Sequence, residues 1–209
     1  MLRNIAYIGF GELGKQFDLF ISRNSDDETV FFDDNLYAAG VEGAKPFSFF
    51  ENKEFENFDF FIALGYRHLT TKHKIISQNT NLNFPKFIHG SSYVSPNARV
   101  GDAVFVYPMS NIDKGVDIGK GTLINNSVVI SHDSIIGEAC YLSPGVVVSG
   151  QVNIGDCTFV GSGTVISNGL KIGKNVTVGI GSVVTKDIPD NSIVIGNPMR
   201  FLPSKLDIV

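Results

Sequence analysis

The placement of histidine and glycine gives the first candidate for chemistry. The chain has four histidines, His68, His73, His89 and His132, and only His132 lies within a regular six-residue repeat running from Val94 to Ile188. His132 and Asp133 take the second and third places after Ile130, at a turn from which side chains can face outward. An imidazole that can accept a proton, beside a carboxylate that can fix its tautomer, is the make-up of a general base. Eighteen residues on, at the position stacked against His132, the residue is Gly150. A glycine there leaves a gap beside the imidazole and exposes a backbone N–H, as an acyl-transfer site requires. The competing reading is a solvated turn histidine.

A second candidate is the run Gly9-Phe10-Gly11-Glu12-Leu13-Gly14, placed between an apolar stretch and a helical pattern. Strand, GxGxxG and helix together form a phosphate-binding loop, because backbone at these glycines can approach a phosphate at the helix N-terminus. Asp33 follows the last glycine by nineteen residues, near the place of a ribose-binding carboxylate. NAD binding is disfavoured by length. Only about 85 residues precede the repeat, which holds one mononucleotide half and not the two halves of a dinucleotide fold. Nucleotide or nucleotide-sugar binding, and a tight turn with no ligand, remain as readings.

The repeat must position the first candidate. Sixteen aliphatic residues recur six apart without a miss, from Val94 through Ile112, Ile130, Val148 and Ile166 to Val184. Gly101, Gly119, Gly137, Gly155 and Gly173 follow that series eighteen apart, and small or branched residues such as Thr122, Ser134, Cys140 and Thr158 lie four places beyond it. A hexapeptide period reads as a parallel β-helix with three strands per coil, and coils about 4.8 Å apart. A glycine after the aliphatic residue either relieves crowding or supplies an unusual φ. A sandwich of ordinary strands would show period two and variable turns.

The phosphate loop needs an α/β unit. Expected strands are Asn4 to Ile8, Glu28 to Phe32, Phe58 to Leu64 and Phe84 to Ile88. Expected helices run from Glu12 to about Arg23 and from Leu69 to Gln78, with a short helix between Ser48 and Glu56. Fourteen of the 17 phenylalanines precede residue 90, so bulky side chains belong to the first unit and narrow aliphatic ones to the second. The fold expected is an α/β N-terminal Rossmann-like half domain over residues 1–87, then a left-handed parallel β-helix of hexapeptide repeats over residues 88–209.

Composition narrows the partners. The 209 residues carry a net charge of −4, so nucleic acid and anionic membranes are poor partners. Cys140 and Cys157 belong to no CxxC pair and read as packed small residues, so no metal is expected. The run from Met1 to Gly9 is too short for a signal peptide, and no stretch of eighteen apolar residues occurs, so a cytoplasmic location is expected.

Set side by side, these segments resemble the sugar acetyltransferases of the sialic-acid O-acetyltransferase and bacillosamine-pathway N-acetyltransferase family (NeuD/PglD-like). The matching pieces are Ile8 to Gly14, Phe31 to Asp34, Ile62 to Gly65, Phe87 to His89, Ile130 to Asp133, Leu142 to Gly145, Val178 to Pro189 and Val194 to Arg200. They occur in order over nearly the whole chain. The resemblance implies acetyl-CoA as donor, lying between adjacent β-helices of a homotrimer. It implies His132 as catalytic base with Asp133 at an acidic position often filled by Glu in relatives. It further implies that Asn125 borders the site and that the Gly150 N–H points at the thioester carbonyl. Lys171, Lys174, Lys186 and Arg200 fall where relatives bind the adenosine end. Gly11, Glu12 and Gly14 would flank the diphosphate of a UDP- or dTDP-linked amino sugar. Asp33 and Asp34 would lie near the base or ribose, and Gly65, Tyr66 and Arg67 would complete the wall. Leu13 stands where several relatives have histidine. The implied function is N-acetylation of a nucleotide-linked 4-amino-4,6-dideoxy sugar by direct transfer. O-acetylation of a sialic-acid-like sugar, and a non-catalytic trimer that binds sugar nucleotides, are the alternatives.

Overall fold

A computed structural model describes residues 3–21 and 27–203, and the chain divides into two compact units, residues 1–85 and 86–209. The first unit is built on four parallel strands, β1 (Asn4–Ile8), β2 (Glu28–Phe32), β3 (Ala44–Lys45) and β4 (Asp59–Ile62), in the order β3-β2-β1-β4. Strand β1 lies between β2 and β4, and all of its residues after Asn4 are buried. That is the pattern of a strand covered on both faces, and it explains the unbroken apolar run Ile5-Ala6-Tyr7-Ile8. Helix α1 (Glu12–Ile21) follows β1 and buries Gly14, Phe17 and Ile21 along one face. Its expected end, Arg23, lies outside the described residues. Helix α3 (Leu69–Gln78) runs as the sequence suggests.

Around Phe32 the core is aromatic. Its ring meets Phe55 edge-on at 4.9 Å and stacks near Phe60 at 6.1 Å. The sequence does not reveal the short helix α2 (Asp34–Ala38) or the two-residue β3. The expected helix between Ser48 and Glu56 is instead two 3-10 turns, Phe47–Glu51 and Lys53–Phe55. The expected strand Phe84 to Ile88 is strand only at Phe87–Ile88. That pair joins the second unit by pairing with Phe105–Val106, because backbone pairing continues in the solenoid sheet.

The second unit is a parallel β-solenoid. Short strands, all of two residues but the last two, stack into three sheets of five, eight and six strands, each paired with the strand eighteen residues away from Arg99–Val100 through to Lys171–Ile172. From Val106 to Val184 every aliphatic residue of the six-residue series points inward and is at most 3 % exposed. The row four places further on bridges coils. Ser110, Thr122, Ser134, Thr158 and Thr164 donate their hydroxyls to carbonyls fifteen residues on, and the first four also accept a backbone N–H eighteen residues on. Cys140 takes the same place, its Sγ 3.2 Å from the Gly155 carbonyl.

Crowding, and not φ, explains the glycines that follow the aliphatic residues at Gly101, Gly119, Gly137, Gly155 and Gly173. A Cβ at Gly119 would stand 2.6 Å from the Gly137 carbonyl carbon of the next coil, and Gly119 has no positive φ. The left-handed residue comes two places later, with Ala103, Met109, Gly115, Ser127, Asp133, Gln151 and Gly163 among the examples. Cys157 is one of these turn residues, partly exposed, and so does not share the core setting of Cys140. At the far end Arg200–Leu202 returns antiparallel on Ile193–Ile195. Among the described residues no helix is long and apolar enough to cross a membrane.

The glycine loop of the first unit separates two demands. A Cβ on Gly14 would lie 2.9 Å from the Gly9 carbonyl oxygen and 2.9 Å from the Phe10 ring, whereas one on Gly11 would meet nothing within 4 Å. Gly14 therefore admits α1 to the end of β1, and Gly11 leaves open surface. Gly14→Ala should cost about 1–3 kcal/mol as overpacking. Gly11→Ala should cost under about 1 kcal/mol, as a change at a helix start. Thermal melts giving the opposite ranking would contradict this division.

Candidate active site

His132 sits at the turn between strands Val129–Ile130 and Ile135–Ile136. The turn is pinned to both neighbouring coils. Asp133 N–H donates to the Lys114 carbonyl below at 3.0 Å, and the His132 carbonyl accepts from Gln151 N–H above at 2.9 Å. The Ser134 hydroxyl adds a bond to the Ser149 carbonyl at 3.0 Å. On this frame the imidazole Nδ1 lies 3.0 Å from Asp133 Oδ2. A carboxylate only accepts, so Nδ1 carries the proton and, in the neutral ring, Nε2 is the acceptor. The shorter side chain of Asp133, compared with glutamate, does reach the ring.

Nε2 points at Gly150. A Cβ built on Gly150 would stand 2.6 Å from Nε2 and 2.7 Å from Cε1, so the ring occupies the space of the missing side chain. Gly150 is buried, and among the described residues its N–H donates to no acceptor. A proton acceptor and a backbone donor with no acceptor thus lie at one spot. The His132 and Asp133 side chains are 44 % and 50 % exposed. An exposed pair of this kind adds under about 1 kcal/mol of stability, so its consequence is orientation of the ring.

Asn125 stands at the preceding turn of the same coil, after Leu123–Ile124. Its Oδ1 accepts from Asn126 N–H at 2.8 Å, and its Nδ2 donates to the Tyr141 hydroxyl at 3.2 Å. Tyr141 was not singled out by sequence reasoning, although it follows Asn125 by sixteen residues and opens the next strand of the same sheet. Asn125 and His132 flank the same outward face from its two edges.

The cationic residues fall in several places. Lys171 and Lys174 line a groove with Asn153, Asp187 and Asp190. The Lys174 ammonium is 2.7 Å from Asp156 Oδ2, a bond that raises its pKa. Lys186 lies over the Phe201 ring at 5.4 Å, and Arg200 is exposed on the last strand. Cys140 offers no competing nucleophile, because burial pushes its thiol up to about 12. Among the described residues no group of three or more His, Cys, Asp or Glu is placed to hold a metal ion.

In the first unit the loops after β1, β2 and β4 all leave the same end of the parallel sheet. The order β3-β2-β1-β4 puts the topological switch between β1 and β4, the usual ligand crevice of such sheets. Gly11 and Glu12 follow β1, both exposed, with Glu12 paired to Lys15 at 2.6 Å. Gly65, Tyr66 and Arg67 follow β4, and a Cβ on Gly65 would also meet nothing within 4 Å. Arg67 lies 5.8 Å from the Tyr66 ring centre.

Asp33 has a structural job that its spacing concealed. Its Oδ2 accepts from Phe10 N–H at 2.9 Å, and its Oδ1 caps α2 through Asn35 and Leu36 N–H. Asp34 Oδ1 accepts from Phe47 N–H at 2.9 Å. Asp33 therefore ties the glycine loop to the loop after β2. The signal available in the sequence was an aspartate heading a short polar-apolar run, an N-cap pattern.

Known proteins share this fold. The model for bacterial transferase hexapeptide (six repeats) matches residues 115–150. The acetyltransferase domain of PglB from Neisseria gonorrhoeae FA1090, solved in complex with acetyl coenzyme A, is 27 % identical with TM-score 0.81, over 97 % of this chain and 100 % of that one. A single-site variant of perosamine N-acetyltransferase from Caulobacter crescentus, in complex with CoA and GDP-perosamine, is 26 % identical with TM-score 0.85, over 97 % and 98 %. WeeI from Acinetobacter baumannii AYE, 24 % identical with TM-score 0.83, over 97 % and 100 %, shares the fold. No curated protein sequence matches significantly. The chain is thus similar over nearly its whole length to acetyltransferases that share its α/β unit and its hexapeptide-repeat solenoid.

Proposed function

We propose that the protein transfers the acetyl group of acetyl-CoA to the amine of a nucleotide-linked amino sugar, a 4-amino-4,6-dideoxyhexose, with His132 as general base. One observation carries this reading. The His132 imidazole is held through Nδ1 by Asp133, and its free Nε2 lies over Gly150, whose buried N–H has no acceptor among the described residues. The sugar amine attacks the thioester carbon and Nε2 takes a proton from it. The Gly150 N–H stabilises the carbonyl oxygen as negative charge builds there. The C–S bond then breaks, CoA leaves as thiolate, and the imidazolium returns a proton to the sulfur. No acyl-enzyme forms. The likeness to enzymes solved with acetyl coenzyme A and with GDP-perosamine supports both substrates.

Lys186 is three coils from His132, about 14 Å along the solenoid at the spacing of parallel strands, and would meet the diphosphate of an extended donor. Arg200 and Lys171 supply further positive charge toward that end, and Lys174 does so only by sharing Asp156. In the first unit Gly11, Glu12, Gly14, Gly65, Tyr66 and Arg67 would receive the nucleotide diphosphate. Asp33 acts by holding the loop, and Asp34 lies beside the base or ribose. The nucleotide is UDP, dTDP or another nucleoside diphosphate such as the GDP of the relative.

The active assembly is a homotrimer. The outward row of the six-stranded sheet, Tyr93, Asn111, Val129, Val147, Val165 and Val183, is mostly apolar, and Tyr93, Val129 and Val165 are exposed. Such a row gains by packing on a second prism. Asn125 and His132 flank that row, so a cyclic trimer turns the Asn125 corner of one copy toward the His132 corner of another and covers the half-exposed base. Sedimentation should give a trimer at micromolar concentration. Val165→Glu should shift it toward monomer with loss of acetyl transfer, and a fully active monomer would sink the shared site.

His132→Asn keeps a polar group of similar size and removes the base. Steady-state kcat should fall by about 10²–10⁴ at neutral pH. The loss should fall toward the lower end for an amine, which is a good nucleophile once neutral. KM for acetyl-CoA should hardly change, because the proton transfer belongs to the transition state. A variant within threefold of wild type would remove His132 as the base and leave His89 as the next histidine to examine.

A further inference from the structure

We propose that Gly115 is a positioning residue for the His132–Asp133 pair: the space of its missing side chain is where the Asp133 carboxylate lies. This rests on the general-base reading of His132. Gly115 is eighteen residues before Asp133, at the same corner of the coil below. A Cβ built on it would collide with Asp133 Oδ1, with Asp133 Cγ at 3.4 Å and Cα at 3.6 Å. The other oxygen of that carboxylate, Oδ2, is the one 3.0 Å from His132 Nδ1. One carboxylate oxygen therefore rests over Gly115 while the other holds the imidazole. On the opposite side the imidazole rests over Gly150. The pair is bracketed by two glycines, one below the carboxylate and one above the ring.

Backbone conformation alone does not demand glycine at this place. Gly115 has φ +69°, but the same left-handed position is held by Ala103, Met109, Ser127, Ala139, Gln151 and Asn175 elsewhere in the solenoid. What sets Gly115 apart is its neighbour. At Gly163, with φ +67°, an added Cβ would meet nothing within 4 Å. Any side chain at 115 must push the Asp133 carboxylate from its place. The carboxylate then leaves Nδ1, the ring is free to rotate or exchange tautomers, and Nε2 no longer stays over Gly150. Gly115 touches no reacting atom and acts through Asp133.

The test is a double-mutant cycle with an internal control. Gly115→Ala and Gly163→Ala impose the same left-handed strain, but only the first displaces Asp133. The expected result is that Gly163→Ala keeps kcat within about twofold of wild type. Gly115→Ala should lower kcat by the same factor as Asp133→Asn, with KM for acetyl-CoA unchanged. The double variant Gly115→Ala with Asp133→Asn should be no slower than either alone. Full kcat in Gly115→Ala, or losses that multiply, would overturn the proposal. If Gly115→Ala does not fold, Gly115→Asn, whose backbone tolerates the left-handed region, replaces it. If the wild type shows no acetyl transfer, the general-base reading fails by itself, and ¹⁵N spectra of His132 still decide the role of Gly115. The Nδ1–H tautomer should dominate in wild type and Gly163→Ala and give way to a mixture in Gly115→Ala. An unchanged spectrum in Gly115→Ala would refute it.

Discussion

The stacking of each solenoid coil on the next, eighteen residues away in strict register, is the constraint on which the rest of the second unit depends. It places every residue over a known partner, and the coils come so close that some partners must lack a side chain. At Gly119 and its equivalents the clash would be backbone against Cβ. At Gly150 it would be Cβ against the His132 ring. The same register that buries Ile130 and Val148 therefore fixes where the imidazole lies. The buried hydroxyls of Ser134 and Thr122 satisfy carbonyl and N–H groups between coils, and this keeps the turns from drifting. If His132 acts as the proposed base, so rigid a frame leaves it little reorganisation to make.

In the first unit the constraint is the parallel sheet order and the close approach of α1 to β1. The strands β1, β2 and β4 end on the same side, and their loops converge there. Asp33 joins two of those loops through three backbone N–H groups. Loss of that carboxylate would loosen the glycine loop itself, because it is the group that holds the Phe10 N–H. Gly14 holds the same loop by packing, whereas Gly11 leaves open surface.

Much of this was legible in the sequence because it follows from period. The sixteen aliphatic residues announce the solenoid, and simple addition of eighteen places Gly150 against His132. What was not legible depends on side-chain contacts across irregular turns. Asp33 has the spacing of a ribose ligand, yet spends its lone pairs on the loop and on α2. Lys174 reads as a free cation, yet is engaged by Asp156. Cys157 looks like Cys140 by type, but falls on a left-handed turn position. Phe87–Ile88 reads as the last strand of an α/β unit. Two residues carry too little pattern to show that their partner is Phe105–Val106. Tyr141 has no motif around it, and only its stacking beside Asn125 marks it.

The central claim is that the enzyme acetylates the amine of a nucleotide-linked amino sugar. The most direct measurement is mass spectrometry of the products when purified protein and acetyl-CoA are offered a panel of amino sugar nucleotides. The account predicts that one acceptor gains a single acetyl group in step with CoA release, that the product resists hydroxylamine as an amide does, and that no CoA is released without the acceptor. An ester that hydroxylamine removes, or CoA release indifferent to every amino sugar nucleotide, would contradict it.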